Sequence, residues 1–275
     1  MINILANYEI QIRLIVYLAL LVIMIFWEQL SPKRTPIISR FIHYSNNIFL
    51  LIFNNAIMRI FFPAVTISVS YISSEAKWGL LNLMNIPSWI EVILAIIILD
   101  LIIYFQHIIF HRVPLLWKLH LVHHADPDYD MTTGSRFHPI EILLSLAIKV
   151  ISIMVLGIPV TAVVLFELIL SSSAMFNHGN INLPKRLDTI IRWFIVTPDM
   201  HRIHHSQDYK ELNQNFGFFL SGWDRVFRTY QDSPAIDHKD MLIGLAEYSD
   251  PRQIVWLSGM LMLPFRKKNL NSRTP

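Results

Sequence analysis

Three clusters of histidines are the features of this sequence best suited to chemistry. They follow the patterns HxxxH, HxxHH and HxxHH, and their members are His107, His111, His120, His123, His124, His201, His204 and His205. Spacings of three and four residues put side chains on one face of a helix. Neutral imidazole is a good ligand for iron, zinc, copper and nickel. Imidazoles crowded on one face would repel each other if charged and lack partners if neutral, so the pattern predicts metal binding.

The number of histidines predicts two metal ions. A catalytic zinc normally takes three protein ligands and a structural zinc takes four, so eight histidines exceed the needs of one ion. The zinc-protease pattern HExxH is absent, because Ile108 follows His107 and no cluster contains glutamate. The E-x-x-H pairs of soluble di-iron bundles are absent too. The sequence therefore predicts a two-metal site built almost entirely from nitrogen ligands.

Composition indicates that the elements carrying these clusters lie in a membrane. Of the 275 residues, 53% are hydrophobic and only 16% are charged, whereas soluble domains carry about 25% charged residues. Cysteine is absent, which excludes disulfides and thiolate ligands. The basic residues lie in short loops beside apolar runs, with no basic helix, so nucleic acid is not expected as a partner.

Apolar runs predict an all-α membrane bundle of about three spanning helices plus a helical hairpin. The three runs cover 10–27, 48–72 and 90–110, and each is long enough to cross a hydrocarbon core of about 30 Å. The first run could instead be a signal peptide, but SPKRTP follows it rather than a small-residue cleavage site. A further run, 140–176, is broken at Gly157-Ile158-Pro159, which predicts a hairpin whose two helices need not span.

The order of these runs predicts three regions. They are N-terminal transmembrane helices over 1–88, a region over 89–235 that carries the histidine clusters, and an interfacial helix with a tail over 236–275. Within them, the polar stretch from 177 to about 250 is predicted to form a soluble-type helical cap. The segment 254–265, followed by Arg266-Lys267-Lys268, is predicted as an interfacial helix with a basic edge, and the tail 271–275 as loose.

The distribution of lysine and arginine predicts the orientation. These residues are more frequent after the first and third runs than after the second, which places the histidine clusters on the cytoplasmic side. No retrieval signal for the endoplasmic reticulum is evident, which favours a bacterial inner membrane. The sequence does not indicate the oligomeric state.

The clusters and the text around them resemble the fatty acid hydroxylase/sterol desaturase superfamily of integral-membrane, non-haem di-iron enzymes. The resemblance covers roughly residues 95–235. It is carried by HRVPLLWKLHLVHHADPDYDMTTGSRFHPIE, NHGNINLP, TPDMHRIHHS and NFGFFLSGWDRVFRTY. One HxxHH alone would be a weak signal, but the ordered combination is specific.

The resemblance implies an oxygenase that uses two iron ions, O2 and external electrons to hydroxylate or desaturate a C–H bond of a lipid from the bilayer. The electrons would come from a separate cytochrome b5 or ferredoxin-type donor, since no b5 module is fused to the chain. Zinc can replace the iron on purification, because it outcompetes ferrous iron for nitrogen ligands.

The resemblance also implies the ligands. They are the eight clustered histidines and His178, while Asn182 stands where some relatives have a further histidine and leaves one metal short by a protein ligand. His138 is either a ligand or a donor beside the ligands. Candidates for orienting the ligands are Asp100, Asn182 and Asp199; weaker candidates are Asp126, Asp128, Asp130, Glu141 and Glu167. His43 and His238 are predicted to be structural.

Two other classes of function compete with the oxygenase. A histidine-rich metal transporter or metal-binding protein would need ionisable residues along several spans, whereas these clusters gather at one end. A scaffold that has lost activity would be expected to have damaged clusters, and all three are intact. The lipid, and the choice between hydroxylation and desaturation, stay open at this point.

Overall fold

The computed structural model describes residues 8–266, which form helices and loops without a β-strand. The predicted all-α class is confirmed. The longer helices are α1 (Glu9–Leu30), α2 (Arg40–Phe61), α3 (Val65–Glu75), α4 (Ser88–Arg112), α5 (Pro114–His124), α6 (Pro139–Leu156) and α7 (Val160–Asn177). The shorter ones are α8 (Lys185–Ile191), α9 (Pro198–His204), α10 (Tyr209–Leu212), α11 (Gly222–Val226), α12 (Pro251–Ile254) and α13 (Leu257–Met262). Single 3₁₀ turns cover Leu81–Leu83, Thr133–Ser135 and Leu263–Phe265.

Four helices between residues 8 and 266 are long and apolar enough to cross a membrane, namely α1, α4, α6 and α7. Helices α2 and α3 meet the same criterion together, although they meet at 43°. Their junction contains Pro63, which cannot donate a helical hydrogen bond, and Ala64, which has a left-handed φ of 51°. The predicted hairpin is present, and each of its helices is long enough to span.

Helix α7 lies at the centre of the bundle and packs against α1, α3 and α4. Leu99 and Ile103 of α4 meet Val163 and Phe166 of α7 in one buried apolar cluster. The hairpin turn that places α7 here depends on Gly157, which ends α6 at a φ of 68°, a conformation that glycine adopts without steric cost. The end of α7 is thereby brought beside the end of α4.

The C-terminal segment corrects one prediction, because residues 254–265 do not form a single interfacial helix. They form the last residue of α12, all of α13 and a 3₁₀ turn. Ile254, Val255, Met260 and Leu263 are buried in one cluster with Val122 of α5. Positions 254, 255, 260 and 263 do not share one helical face, so a single helix could not bury all four. Lys267, Lys268 and the tail 271–275 lie outside the described residues.

Buried polar contacts join the N-terminal helices to the loops that follow α5 and α7. The Glu28 carboxylate, on α1, accepts hydrogen bonds from the backbone amides of Met131 (2.8 Å) and Asn180 (2.9 Å). The His43 ring, on α2, lies between Asp126 (2.6 Å) and Asp130 (2.7 Å). These contacts hold α1 and α2 against the region that carries the histidine clusters.

Candidate metal centre

Four segments of the chain deliver the clustered histidines to one buried place. The last two turns of α4 carry His107 and His111, and α5 carries the second cluster. Val113 separates the two helices in an extended conformation, as expected for a residue before proline. Helix α9 and the residue after it carry the third cluster, and His178 follows α7 directly.

The structure sorts nine histidines into two groups, each with ligand atoms within 4.8 Å of one another. The five-histidine group is His107, His111, His120, His124 and His204. The four-histidine group is His123, His178, His201 and His205. Each group combines segments that are far apart in the sequence, and His123 and His124 face different groups from neighbouring positions on α5.

Distances between ring nitrogens match those expected around a metal ion. The Nε2 atoms are 3.0 Å apart for His107 and His204, 3.1 Å for His111 and His124, and 3.2 Å for His123 and His178. Two nitrogens bound at about 2.1 Å to one ion, at angles near 90–110°, would be roughly 3.0–3.4 Å apart. The two groups are therefore spaced as two sets of metal ligands.

Hydrogen bonds on the other ring nitrogen orient four of these histidines. In each case Nδ1–H donates, which leaves the Nε2 lone pair free to bind a metal. The pairs are His107 with the Phe216 carbonyl (2.9 Å), His178 with the Ala174 carbonyl (2.8 Å), His204 with the Gln214 carbonyl (2.8 Å) and His120 with the Glu141 carboxylate (2.7 Å).

Burial keeps the imidazoles neutral and therefore able to bind metal. It lowers the pKa of His120 to about 3, and it lowers the pKa of His178 to about 3 as well, against the opposing effect of the hydrogen bond to the Ala174 carbonyl. Among the described residues, His120 Nε2 and both ring nitrogens of His201 and His205 have no hydrogen-bond partner. Such buried atoms cost about 1–3 kcal/mol each, a cost that a bound cation would remove. The residues present thus fit metal ions.

Four other residues singled out in the sequence lie away from both groups. His138 directly precedes α6, where its Nδ1 accepts from the Ile140 amide (3.2 Å) and its Nε2 donates to the Leu261 carbonyl (3.2 Å). Asp100 accepts from the Leu220 amide and the Trp223 indole. Asp199 pairs with Lys33 (2.9 Å) and Arg202. Asn182 is exposed, and its backbone N–H donates to the Ser31 carbonyl. The side chain of His138 therefore caps α6, Asp100 binds an amide and an indole, and Asp199 binds two cations, so none of these three faces the histidine groups.

Of the five weaker candidates for orienting the ligands, four bind groups other than the clustered histidines. Asp126 and Asp130 hold His43, and Asp128 accepts from the amides of Ile37 (2.7 Å) and Ile38 (2.8 Å). Glu167 pairs with Lys149 and Arg13. Only Glu141 of this set contacts a clustered histidine. The carbonyls of Phe216 and Gln214 were missed, because the side-chain pattern of a sequence does not reveal backbone acceptors.

Replacing Glu141 with leucine is expected to weaken metal binding about 10- to 100-fold, since the partners of metal-binding histidines typically have effects of this size. Glu141→Gln should lose less of the metal affinity, because its amide oxygen can still accept a hydrogen bond from His120. A competition titration with a metal chelator measures both affinities. Glu75→Gln, at an exposed glutamate, is the matched control. Unchanged affinity in Glu141→Leu would show that His120 does not need this carboxylate.

Comparison with known proteins agrees with this geometry. The model of the fatty acid hydroxylase family matches residues 92–229, which contain all nine histidines of the two groups. No solved structure matches the chain.

Several curated relatives match about half of the chain. Ornithine lipid hydroxylase OlsE of Rhizobium tropici is 28% identical over 56% of this chain and 46% of its own length. Alkylglycerol monooxygenase of Homo sapiens is 27% identical over 56% of this chain and 34% of its own length. Cholesterol 25-hydroxylase of Rattus norvegicus is 23% identical over 52% of this chain and 48% of its own length. The matched region thus spans less than half of each of these relatives.

Proposed function

The chain belongs to the fatty acid hydroxylase family, and from this we propose that it is a membrane-bound di-iron oxygenase acting on lipids. It would use O2 and external electrons to hydroxylate or desaturate a lipid C–H bond. The names of the relatives support a lipid hydroxylase, since they describe hydroxylases or monooxygenases of an ornithine lipid, alkylglycerols and cholesterol.

The observation that carries the proposal is the pair of histidine groups. The five-histidine group would hold one iron ion and the four-histidine group the other. Bound iron would supply the redox chemistry with O2, which amino-acid side chains alone do not provide. Nitrogen ligands suit ferrous iron, although zinc binds them more tightly. A zinc-filled preparation would therefore be compatible with an iron enzyme.

The side chains of the protein would orient the ligands and exclude water. Phe137 stacks on the His123 ring with centroids 4.6 Å apart, and Phe216 lies edge-on to His111 at 5.1 Å. The carbonyls and the carboxylate bound to Nδ1 keep four of the rings in place, those of His107, His120, His178 and His204. Such an enclosed, low-polarity site protects reactive species from water.

The position of the histidine groups supports a substrate drawn from the bilayer. His107 and His111 lie in the last turns of α4, and His178 follows the end of α7; both helices are long and apolar enough to span. A lipid could approach the metals while its tail stays among the spanning helices. The proposed setting is a bacterial inner membrane with the metals on the cytoplasmic side, reached by a separate cytochrome b5 or ferredoxin-type donor.

The test is product formation by the purified, iron-loaded protein in liposomes made from a bacterial lipid extract, with ferredoxin, its reductase and ¹⁸O2. We expect either a lipid that carries one ¹⁸O atom or one that has lost two hydrogens. The product should require iron, reductant and O2 together, and His204→Ala should form none. Metal uptake into the liposomes without a lipid product would contradict the oxygenase and favour transport.

A further inference from the structure

A group of exposed apolar side chains lies on residues 185–229, within the region predicted as a soluble-type cap. Phe194 is 70% exposed and Val226 is 66% exposed. Exposed apolar patches mark interaction sites. We name the group the apolar edge, and its members are Leu187, Ile190, Trp193, Phe194, Val226 and Phe227.

The chain beside this edge runs along α4 toward the middle of the span. The Phe216 carbonyl accepts from His107, and the Leu220 amide donates to Asp100 (3.0 Å). Asp100 lies seven residues before His107, which is roughly 10 Å along the helix axis. Because His107 is near the end of α4, residues 220–223 lie deeper along the span than the metal centre does.

The exposed surface of α4 continues onto the apolar edge. The Phe105 ring, on the exposed side of α4, packs edge-on against Phe227 with centroids 4.9 Å apart. Next to this contact, the Tyr104 and Thr229 hydroxyls are 2.7 Å apart. Any acyl chain that covers Phe105 would therefore also reach Phe227.

Buried side chains bind the irregular backbone of this segment. A loop in water can leave its amides and carbonyls to the solvent, but in hydrocarbon they must be bound by the protein. Asp224 accepts from the amides of Phe216 and Gly217 (both 2.8 Å), Asp100 accepts from Leu220 and the Trp223 indole, and the Asn177 amide donates to the Phe218 carbonyl (2.9 Å). Asp100 and Asp224 are both fully buried, and this role accounts for them.

Exposed cations border the edge. Lys185 and Arg186 begin α8, and Arg228 follows Phe227. The Arg225 guanidinium lies 4.7 Å from the centre of the Trp193 ring and 4.1 Å from that of Tyr230. Aromatic side chains with lysine and arginine beside them are typical of segments at the level of lipid headgroups.

We propose that residues 185–229 insert into the membrane leaflet on the side of the metal centre. The apolar edge would lie among the acyl chains, and Lys185, Arg186 and Arg228 would lie at the level of the lipid phosphates. A hollow of about 290 Å³ opens here, lined by Trp193, Phe194, Leu220, Gly222, Trp223 and Val226, and the methylene groups of an acyl chain suit this lining. The proposal depends on the spanning position of α4 and not on the reaction catalysed.

The absence of cysteine allows single-cysteine variants to be spin-labelled in the whole protein. Labels at Phe194→Cys and Val226→Cys test the apolar edge in nanodiscs of phosphatidylethanolamine and phosphatidylglycerol. Val22→Cys on α1 is the reference in the membrane, and Ile236→Cys, beside Asp237, is the reference in water. Both reference side chains are more than half exposed. Collisions of each label are measured with O2, which concentrates in hydrocarbon, and with a water-soluble nickel chelate.

Labels at 194 and 226 are expected to collide more with O2 than with nickel, as at 22, while the label at 236 shows the reverse. Nickel collisions at 194 and 226 equal to those at 236 would place the segment in water and overturn the proposal. Bound iron is measured in each variant as a check on folding. Ile190→Cys on α8 replaces either variant whose iron content falls, and its result decides in the same way.

Discussion

Alanine at His205 is expected to leave the protein with about one iron ion per chain instead of two, and to lower product formation roughly 100-fold or more. His205 belongs to the four-histidine group, so its loss leaves three protein ligands for that ion. Both of its ring nitrogens are buried without a hydrogen-bond partner in the part of the chain that the structure describes. Changes to the partners of metal-binding histidines already cost 10- to 100-fold, and loss of a ligand itself should cost at least as much.

The two groups differ in how they should respond to the loss of one histidine. His124→Ala leaves four ligands in the five-histidine group, so its ion should be weakened less than the ion beside His205→Ala. Iron per chain, measured by elemental analysis after gel filtration, shows which of the two variants retains more iron. His238→Ala is the matched control, because His238 lies outside both groups. Equal iron in His205→Ala and the unchanged protein would remove His205 from the ligands.

The three histidine clusters were recognisable from sequence because their spacing is a local property. Positions 107 and 111, or 201 and 205, share a helical face whatever the rest of the chain does. The resemblance to a family added His178, which has no partner nearby in the sequence and reaches its group only because α7 ends beside His123 of α5 and His201 of α9. The assignment of His123 and His124 to different groups could not be read from the pattern HxxHH, since it depends on the direction of α5 relative to α9.

The contacts that orient the site were harder to predict because they join distant segments. Glu141 is 21 residues from His120, and nothing in FHPIE distinguishes it from a glutamate in the first turn of a helix. Asp100 is the one charged residue inside its apolar run beyond Glu91 at the start, and its position suggested a partner for the metal ligands. Its contacts with Leu220 and Trp223 instead depend on how residues 216–229 fold back along α4, which no local pattern encodes.

The helical class and the main helix breaks were predictable from the sequence. The shape of segments that depends on packing against other helices was less predictable. The Gly157-Ile158-Pro159 break acts on the backbone directly, so the hairpin follows from residue types. Pro63 acts in the same way at the bend between α2 and α3, although the apolar run 48–72 by itself indicates one spanning helix. The segment 254–265 looked like one amphipathic helix because its composition is apolar with basic residues after it. The segment is broken because the residues that pack against α5 do not share one helical face. The surface of α5 that they cover cannot be read from the sequence of the segment itself.

Replacing Arg136 with alanine is expected to lower the free energy of unfolding by about 3–5 kcal/mol, as is usual when one member of a buried charged network is removed. Arg136 is fully buried. Its Nε donates to the Val122 carbonyl (2.7 Å), its Nη1 to Asn47 (3.3 Å) and its Nη2 to the Ile254 carbonyl. Its guanidinium also lies 3.7 Å from the Asp126 carboxylate. One side chain therefore joins α5, α2 and α12.

Arg136→Lys separates charge from geometry, because lysine keeps the positive charge but lacks the planar fork that reaches three acceptors in different directions. The free energy of unfolding of Arg136→Lys should lie between that of the unchanged protein and that of Arg136→Ala. Urea unfolding in detergent, followed by the loss of helical circular dichroism, measures the three proteins, and Arg252→Ala at an exposed arginine is the control. Since Val122 precedes His123 on α5, loosening this contact should also lower iron retention in the four-histidine group. A destabilised Arg136→Ala protein that keeps both ions at full affinity would show that the site is held independently of this network.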